Sequence, residues 1–226
     1  SVYAQTYPHW EIVFWDNGSN DRSSEIANSY DDKVKYFRAE RNTSLYKARN
    51  LALAKCQGQF IAFLDCDDLW YSDKLAKQVQ FIVQHNLSMA YGTCDIIKTN
   101  GVVKRRRRLK SSHGDLFSQL MKRYDCMLPT VMVKKSELVH YRLLFHESLN
   151  FCGDYGLFCC ITALLPVGRM SDRLACYRLQ ESSLTQSTSL EQKLFEYDQL
   201  KDYFYGYLSP AQVLLSDQAL QKRADM

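Results

Sequence analysis

The clearest fold signal in the sequence is the segment Phe60-Ile61-Ala62-Phe63-Leu64-Asp65-Cys66-Asp67-Asp68. Its five consecutive apolar residues predict a buried strand, and the acidic residues that follow at once predict that the strand ends there. The same order occurs earlier, where the run 11–15 stops at the turn Asp16-Asn17-Gly18-Ser19-Asn20-Asp21. A further strand is predicted at 34–38, and helices at 22–30, 45–55 and 73–85 separate the strands.

Buried strands that alternate with helices predict a parallel sheet with right-handed crossovers. In such sheets ligands bind beyond the carboxyl ends of the strands. Because both acidic clusters, 16–21 and 65–68, directly follow strands, we expect them at the same edge of the sheet.

The second half of the chain adds an antiparallel element and a helical tail. Thr99-Asn100-Gly101 between two strand-like runs is a strong hairpin signal. Helices are predicted at 116–123 and 154–164, strands at 129–133 and 174–178, and a helical tail from Leu190. The expected fold is α/β, with a mostly parallel central sheet flanked by helices, a small antiparallel element and this tail.

The composition excludes several classes of protein but does not identify the function. The 226 residues carry a formal net charge of +4, with 46% hydrophobic and 24% charged residues, which excludes disordered, collagen-like and low-complexity chains. No apolar run reaches the about 18 residues of a membrane helix, and no signal peptide is recognised. The eight cysteines form no C-x-x-C pair, so we expect free thiols in a reducing compartment and no structural zinc site.

The acidic tetrad 65–68 is the most informative chemical signal. Three carboxylates in four positions repel one another unless a cation neutralises them. Hard oxygen ligands select Mg²⁺ or Mn²⁺, which commonly bind diphosphate oxygens as well. The alternative is a solvated turn that caps the next helix.

Three other residues have both a structural and a functional interpretation. Asp16 could accept hydrogen bonds from a ribose or a base, or stabilise the turn in which Gly18 lets the chain reverse. Arg49, on the predicted 45–55 helix, could be a surface charge or could contact an anionic nucleotide. Asp154 could cap its helix or act as a general base towards an attacking hydroxyl.

The basic run Lys104 to Arg108 also has several interpretations. It could be an exposed mobile loop, or it could contact anionic lipid headgroups or a lipid-linked phosphate. Nucleic-acid binding is disfavoured, because the pI is only about 8.5 and no aromatic residues interleave the charges. We therefore expect no nucleic-acid partner.

The order of these segments resembles the family 2 glycosyltransferases, which have the GT-A fold. The resemblance covers roughly residues 1–185, and the pieces that carry it are 5–7, 10–12, 16–21, 48–50, 63–70, 145–149, 153–155, 177–178 and 182–185. Each piece is weak alone, but their order and spacing together are specific. The resemblance implies a GT-A domain over 1–185, with 186–226 as a helical extension of the same domain.

The resemblance also implies an activity and a role for each site residue. It implies inverting transfer of a sugar from a nucleotide sugar, usually a UDP-sugar, to a hydroxyl of a glycan or lipid-linked acceptor, assisted by Mg²⁺ or Mn²⁺. Asp16 is similar to the residue that contacts the base or ribose, Arg49 to a nucleotide-site residue and Asp65 to the first acid of the D-x-D motif. Asp67 is similar to the metal ligand of that motif, and Asp154 to the catalytic base. A cytoplasmic location, with peripheral contact to the membrane, is expected.

The sequence departs from the family pattern at identifiable positions. Asn17 stands where a second Asp is usual, Gly153 where Glu often precedes the catalytic Asp, and Gln180 where His is frequent. Family members also begin with a strand that lies within the sheet, and only the end of the helix that follows it, around 1–5, is recognised here. The alternative function is therefore a catalytically impaired sugar-nucleotide-binding or membrane-docking domain.

Overall fold

A computed structural model describes residues 1–106, 108–110, 112–180 and 188–224. The strands are β1 (Ile12–Asp16), β2 (Val34–Arg38), β3 (Phe60–Ala62), β4 (Leu69–Trp70), β5 (Met89–Ile97), β6 (Val103–Arg106), β7 (Ser112–Gly114), β8 (Met132–Lys134) and β9 (Val167–Arg178). The helices are α1 (Ser23–Asn28), α2 (Leu45–Lys55), α3 (Lys74–Gln84), α4 (Phe117–Lys122), α5 (Lys135–His140), α6 (Gly153–Leu164), α7 (Leu190–Tyr205) and α8 (Pro210–Ala224).

The strands form two sheets. β1 and β2 pair in parallel, and the other strands form a sheet in the order β3-β8-β5-β9-β4, with β6 on β5 and β7 on β9. The two longest registers, β1–β2 and β5–β9, are parallel, whereas the shorter ladders are antiparallel. The predicted α/β class with an antiparallel hairpin is confirmed, and β5–β6 is that hairpin.

The division into two sheets differs from the single central sheet that the sequence predicted. In the part of the chain that the structure describes, β1 pairs only with β2, and β3 only with β8. Each therefore has one edge without a partner strand.

Three boundaries differ from the sequence prediction because strand pairing sets them. β3 ends at Ala62 rather than Leu64, since its partner β8 offers only three residues. The predicted strand 129–133 is a 3-10 turn at Leu128–Thr130 followed by β8. β9 begins at Val167, seven residues earlier than predicted, because β5, β7 and β4 all pair along it.

The C-terminal helices complete the main core. Phe158 of α6 packs in one buried cluster with Leu200 and Phe204 of α7 and Leu220 of α8. The predicted domain limit at 185/186 lies outside the described residues. All eight cysteines are free thiols. Among the described helices, none combines the length and the apolar character needed to cross a bilayer.

Candidate active site

The turn after β1 holds Asp16 in a network of hydrogen bonds. Asp16 is 2% exposed, and its carboxylate accepts from the Ser19 N–H at 2.6 Å and from the Tyr36 hydroxyl at 2.7 Å. Burial opposes ionisation, but these hydrogen bonds outweigh it and lower the pKa of Asp16 from 3.8 to about 2. Gly18 has φ +87°, which confirms the expected sharp turn. Asp16 therefore stabilises this turn as an anion.

Arg49 on α2 pairs with Asp65, the first acidic residue after β3. Its Nη2 donates to the two carboxylate oxygens of Asp65 at 2.8 and 3.0 Å. Only 15% of the Arg49 side chain is exposed, and the guanidinium lies over the rings of Tyr46 and Phe145. The interpretation of Arg49 as an ordinary surface charge is wrong. Burial lowers its pKa, but the Asp65 charge outweighs this and keeps the group positive.

Asp154, in the first turn of α6, lies beside this ion pair. The Tyr46 hydroxyl is 3.3 Å from Oδ1 of Asp154, and the Tyr124 hydroxyl is 3.5 Å from Oδ2. Burial raises the pKa of Asp154, while the Arg49 charge and the Tyr46 hydroxyl lower it in part. A carboxylate with a raised pKa is a stronger base, which suits removal of a proton from a hydroxyl.

The carboxylates of the acidic tetrad are directed to separate partners. Asp65 binds Arg49, and Asp67 accepts from Nε2 of Gln180 at 2.9 Å. Asp68 is 4% exposed and accepts from the Arg178 N–H at 2.8 Å. Burial raises its pKa to about 7, and the charges of its acidic neighbours add to this. The three carboxylates therefore do not converge on one point.

This divergence limits how a metal ion could be held. Across the described residues, no group of three or more His, Cys, Asp or Glu side chains is arranged as a metal site. Mg²⁺, however, usually keeps several waters and binds through one or two carboxylates plus substrate phosphates. Asp67, only partly buried beside the turn, fits that mode, whereas a cage built from the whole tetrad does not fit.

The structure brings some of the predicted site residues together and leaves others apart. Arg49, Asp65 and Asp154 form one charged cluster, since the charges of the first two both act on the carboxyl of Asp154. Asp67 is only two residues from Asp65, but its carboxylate accepts a hydrogen bond from Gln180 instead of joining this cluster. Asp16 is outside this cluster, and its neighbour Asn17 hydrogen-bonds residues 42 and 43, just before α2.

Sequence reasoning missed the residues that contact Asp154. Tyr46 is three residues before Arg49 on α2, so the helical period places both on the same face, and this signal was available. Tyr124 lies in the irregular segment after α4, where no periodicity predicts its position. Arg178, noted only for the resemblance, also donates to the Asp67 carbonyl at 2.8 Å and so joins β9 to the tetrad.

Residues 104–106 of the basic run are on the edge strand β6. Residues 103–106 are exposed, and β6 pairs only with β5 among the described strands. Arg107 of the run and the 182–185 motif lie outside the described residues.

Comparison with known proteins places the chain in a family. The sequence profile of the glycosyl transferase family 2 matches residues 1–162. The chain is 29% identical over 220 residues to Escherichia coli WfgD, and the match covers 96% of this chain and 83% of WfgD. WfgD is named as a UDP-Glc:alpha-D-GlcNAc-diphosphoundecaprenol beta-1,3-glucosyltransferase. It is 43% identical over 166 residues to an uncharacterized glycosyltransferase of Haemophilus influenzae, over 68% of this chain and 63% of that protein.

A solved structure of similar fold is that of Staphylococcus aureus TarS 1-349 in complex with UDP-GlcNAc. The TM-score is 0.76 at 23% identity, and the match covers 96% of this chain and 64% of the TarS chain. At this identity the likeness establishes the fold, which is GT-A as the sequence resemblance implied. The profile match and the named relatives together show that the chain belongs to glycosyl transferase family 2 and is a glycosyltransferase.

Proposed function

We propose that this chain transfers a sugar from a UDP-sugar to a hydroxyl of a glycan or lipid-linked acceptor, with inversion at the anomeric carbon. The observation that carries the proposal is Asp154, a partly buried carboxyl with a raised pKa beside the Arg49–Asp65 ion pair. The UDP-GlcNAc complex of a protein with the same fold and the UDP-Glc donor in the name of WfgD support the donor class.

Asp16, Arg49 and Asp65 are proposed to hold the donor. Arg49 stays charged and offers planar donors to an anionic nucleotide. Asp65 retains a side chain that is 45% exposed, so it can also accept from a donor hydroxyl. The pKa of Asp16 is about 2, so the side chain is ionised at neutral pH. It can accept a hydrogen bond from the base or the ribose if that group displaces the Ser19 or Tyr36 donor.

Asp154 is the proposed general base. One carboxylate oxygen takes the proton of the acceptor hydroxyl, whose oxygen forms a bond to C1 of the sugar while the bond from C1 to the UDP oxygen breaks. Attack from the face opposite to UDP gives one inversion and needs no covalent enzyme intermediate. Aligning the two substrates could supply several of the ~7–11 kcal/mol available from effective molarity.

Asp67 is the proposed ligand of Mg²⁺ or Mn²⁺. A bound divalent ion would neutralise the charge of the diphosphate leaving group. The Gln180 side chain, which now donates to Asp67, would orient this carboxylate from its other oxygen.

A donor screen with product analysis tests the proposal. The chain is incubated with a panel of UDP-sugars, Mn²⁺ and polyprenyl-diphosphate-linked acceptors, and the anomeric configuration of the product is read by NMR. We expect transfer with inversion, and a loss of about 10²–10⁴-fold in Asp154→Asn, the usual value of a general base. Retention of configuration, or unchanged transfer by Asp154→Asn, would contradict it. Binding of UDP-sugars without transfer would favour the catalytically impaired alternative.

Peripheral contact with the cytoplasmic face of a membrane, through Lys104 to Arg108, is a second part of the proposal. The exposure of β6 supports it, as does the undecaprenol-linked acceptor in the name of WfgD. Juxtamembrane basic residues contribute ~1 kcal/mol each near anionic lipid.

Liposome flotation tests this contact. We expect binding to vesicles with anionic lipid that weakens with salt, and that is lost when Lys104, Arg105 and Arg106 become Ser. The matched control removes three other exposed positive charges, those of Lys33, Lys35 and Arg41, and should float as the wild type does. No flotation at low salt would remove this part of the proposal without affecting the transferase activity.

A further inference from the structure

Gly153, the residue before Asp154, faces an aromatic ring. A Cβ at Gly153 would lie 2.6 Å from Cδ2 and Cε2 of Tyr46 and 2.8 Å from its Cγ. Real Cβ contacts are not that short, and these ring atoms are not the end of a flexible chain. The place that the side chain of residue 153 would occupy is therefore filled by Tyr46.

Tyr46 is held firmly in this position. It is 2% exposed, and its ring stacks on Phe145 with the centroids 5.3 Å apart. The Arg49 guanidinium also lies over the Tyr46 ring, 5.3 Å from its centroid. Burial raises the pKa of Tyr46, so its hydroxyl keeps its proton and is a donor at neutral pH.

The hydroxyl of Tyr46 reaches the carboxyl of Asp154 at 3.3 Å. A second hydroxyl, from Tyr124, lies 3.5 Å from the other carboxyl oxygen, so the two phenols flank the carboxyl on both sides. Both contacts are long, as catalytic hydrogen bonds often are without substrate. The Tyr46 ring and hydroxyl thus touch residues 153 and 154 at once.

We infer that Tyr46 is a positioning residue: its ring fills the space left by the glycine at 153, and its hydroxyl orients the Asp154 carboxylate towards the acceptor. Residue 153 must then be glycine because the Tyr46 ring occupies the space of its side chain, and the departure from the Glu that is often found there does not by itself indicate lost activity. This inference rests on the proposed function, because it assigns Tyr46 a role in the work of Asp154.

The charged and titratable groups around Asp154 come from several elements. Arg49 and Tyr46 face it from α2, Asp65 from the turn after β3 and Tyr124 from the segment after α4. The Asp154 charge also acts on three buried thiols, those of Cys126, Cys152 and Cys159. Arg49 and the Tyr46 hydroxyl favour the carboxylate, whereas Asp65 and burial favour the neutral acid. Removing the Tyr46 hydroxyl alone leaves the other groups in place.

A carboxyl titration of Tyr46→Phe tests the inference without any donor or acceptor. The chain is labelled with ¹³C at the aspartate carboxyls, and the Asp154 signal is assigned by its loss in Asp154→Asn. We expect the pKa of Asp154 to rise by roughly 0.5–1 in Tyr46→Phe, the effect of losing one hydrogen bond, with a melting temperature like that of the wild type. Tyr207→Phe, which removes a phenol bonded to the Arg142 carbonyl, is the control and should leave the signal unchanged.

A double-mutant cycle tests the fit of ring and glycine. Gly153→Ala should lower the melting temperature by roughly 3–9 °C, the range for overpacking in a chain of this size. In a Tyr46→Ala background the same change should cost nothing, since alanine otherwise favours a helix. Gly206→Ala is the control, because its Cβ would meet its nearest atom at an ordinary 3.4 Å.

The outcomes separate this inference from the proposed function. In the transfer assay we expect Tyr46→Phe to lower kcat by roughly 2–10-fold with little change in the donor KM. An unmoved Asp154 titration in Tyr46→Phe, or equal costs of Gly153→Ala in both backgrounds, overturns the inference whether or not transfer occurs. If both structural tests succeed and the wild type transfers no sugar, the proposed function fails while the contact stands.

Discussion

Asp16 and Asp154 are both carboxyls shielded from solvent at strand or helix ends, yet their pKa values move in opposite directions. Asp16 receives two short hydrogen bonds, at 2.6 and 2.7 Å, and its pKa falls to about 2. Asp154 has phenol contacts of 3.3 and 3.5 Å, and burial raises its pKa. At Asp16 the short hydrogen bonds outweigh the cost of burial, whereas at Asp154 burial outweighs the Arg49 charge and the longer Tyr46 contact, so this balance separates a fixed anion from a base.

Among the changes to the neighbours of these two carboxyls, Arg49→Lys should produce the largest effect. Lysine cannot reproduce the planar contact with Asp65, and it places its charge differently beside Asp154. We expect kcat/KM for transfer to fall by about 10–100-fold, the effect of one to two strong charged hydrogen bonds. Steady-state kinetics with varied donor measures it.

Lys47→Ala on the same helix is the matched control. Lys47 is half-exposed, and its nearest acidic oxygen, on Glu147, is 3.9 Å away. Such surface pairs contribute about 0–1 kcal/mol, so activity should change by less than about fivefold. Equal losses in the two variants would show that the Arg49 contact has no special role.

Asp67→Asn should produce the next largest effect, on nucleotide affinity. If Asp67 holds the divalent ion, Mn²⁺ should strengthen UDP binding by about 10-fold or more in the wild type, and the variant should lose this gain. Isothermal titration of UDP with and without Mn²⁺ measures both. Asp73→Asn, which removes another acidic side chain near the start of α3, should behave as the wild type does. An equal affinity with and without Mn²⁺ in the wild type would count against the metal.

Tyr36→Phe should produce the smallest effect, on stability in acid. The Asp16 pKa is lowered from 3.8 to about 2, so its stabilising contribution is full above pH 3.8 and is lost as the pH falls towards 2. Without the Tyr36 hydroxyl the folded pKa rises towards 3.8, so the acid loss should be smaller and should be complete at a higher pH, and the free energy of unfolding at pH 6 should fall by about 1 kcal/mol.

Urea unfolding between pH 2.5 and 6 measures this shift. Tyr205→Phe is the control, because its hydroxyl makes a longer contact of 3.4 Å with Asp217 and its side chain is exposed. Identical pH profiles for Tyr36→Phe and the wild type would mean that the short hydrogen bond does not set the Asp16 pKa.

The first half of the fold was predictable because its signals are local. The strand 34–38 and the helix 45–55 have the predicted bounds, since the first is a short strand-like run and the second is rich in Ala and Leu with Gly58 beyond its end. The split of the sheet and the length of β9 depend on pairing between distant segments, which no local pattern encodes.

The candidate site was predictable only in part for the same reason. Arg49 and Asp65 were singled out by their positions on a helix and after a strand, and the structure joins them. The tetrad was expected to converge on a cation, and instead its members bind α2, Gln180 and the Arg178 amide. Those partners come from residues up to 113 positions away, so sequence spacing could not reveal them.

The most direct test of Asp154 as the general base is the pH dependence of kcat/KM for transfer, measured in the wild type and in Asp154→Asn. A general base must be deprotonated before it can act, and the pKa of Asp154 is raised from 3.8. The acidic limb of the wild-type profile should therefore have an apparent pKa higher than 3.8, and below that pH kcat/KM should fall about tenfold per pH unit. In Asp154→Asn this acidic limb should disappear along with most of the rate. The same limb at the same pH in both proteins would contradict the assignment of Asp154 as the base.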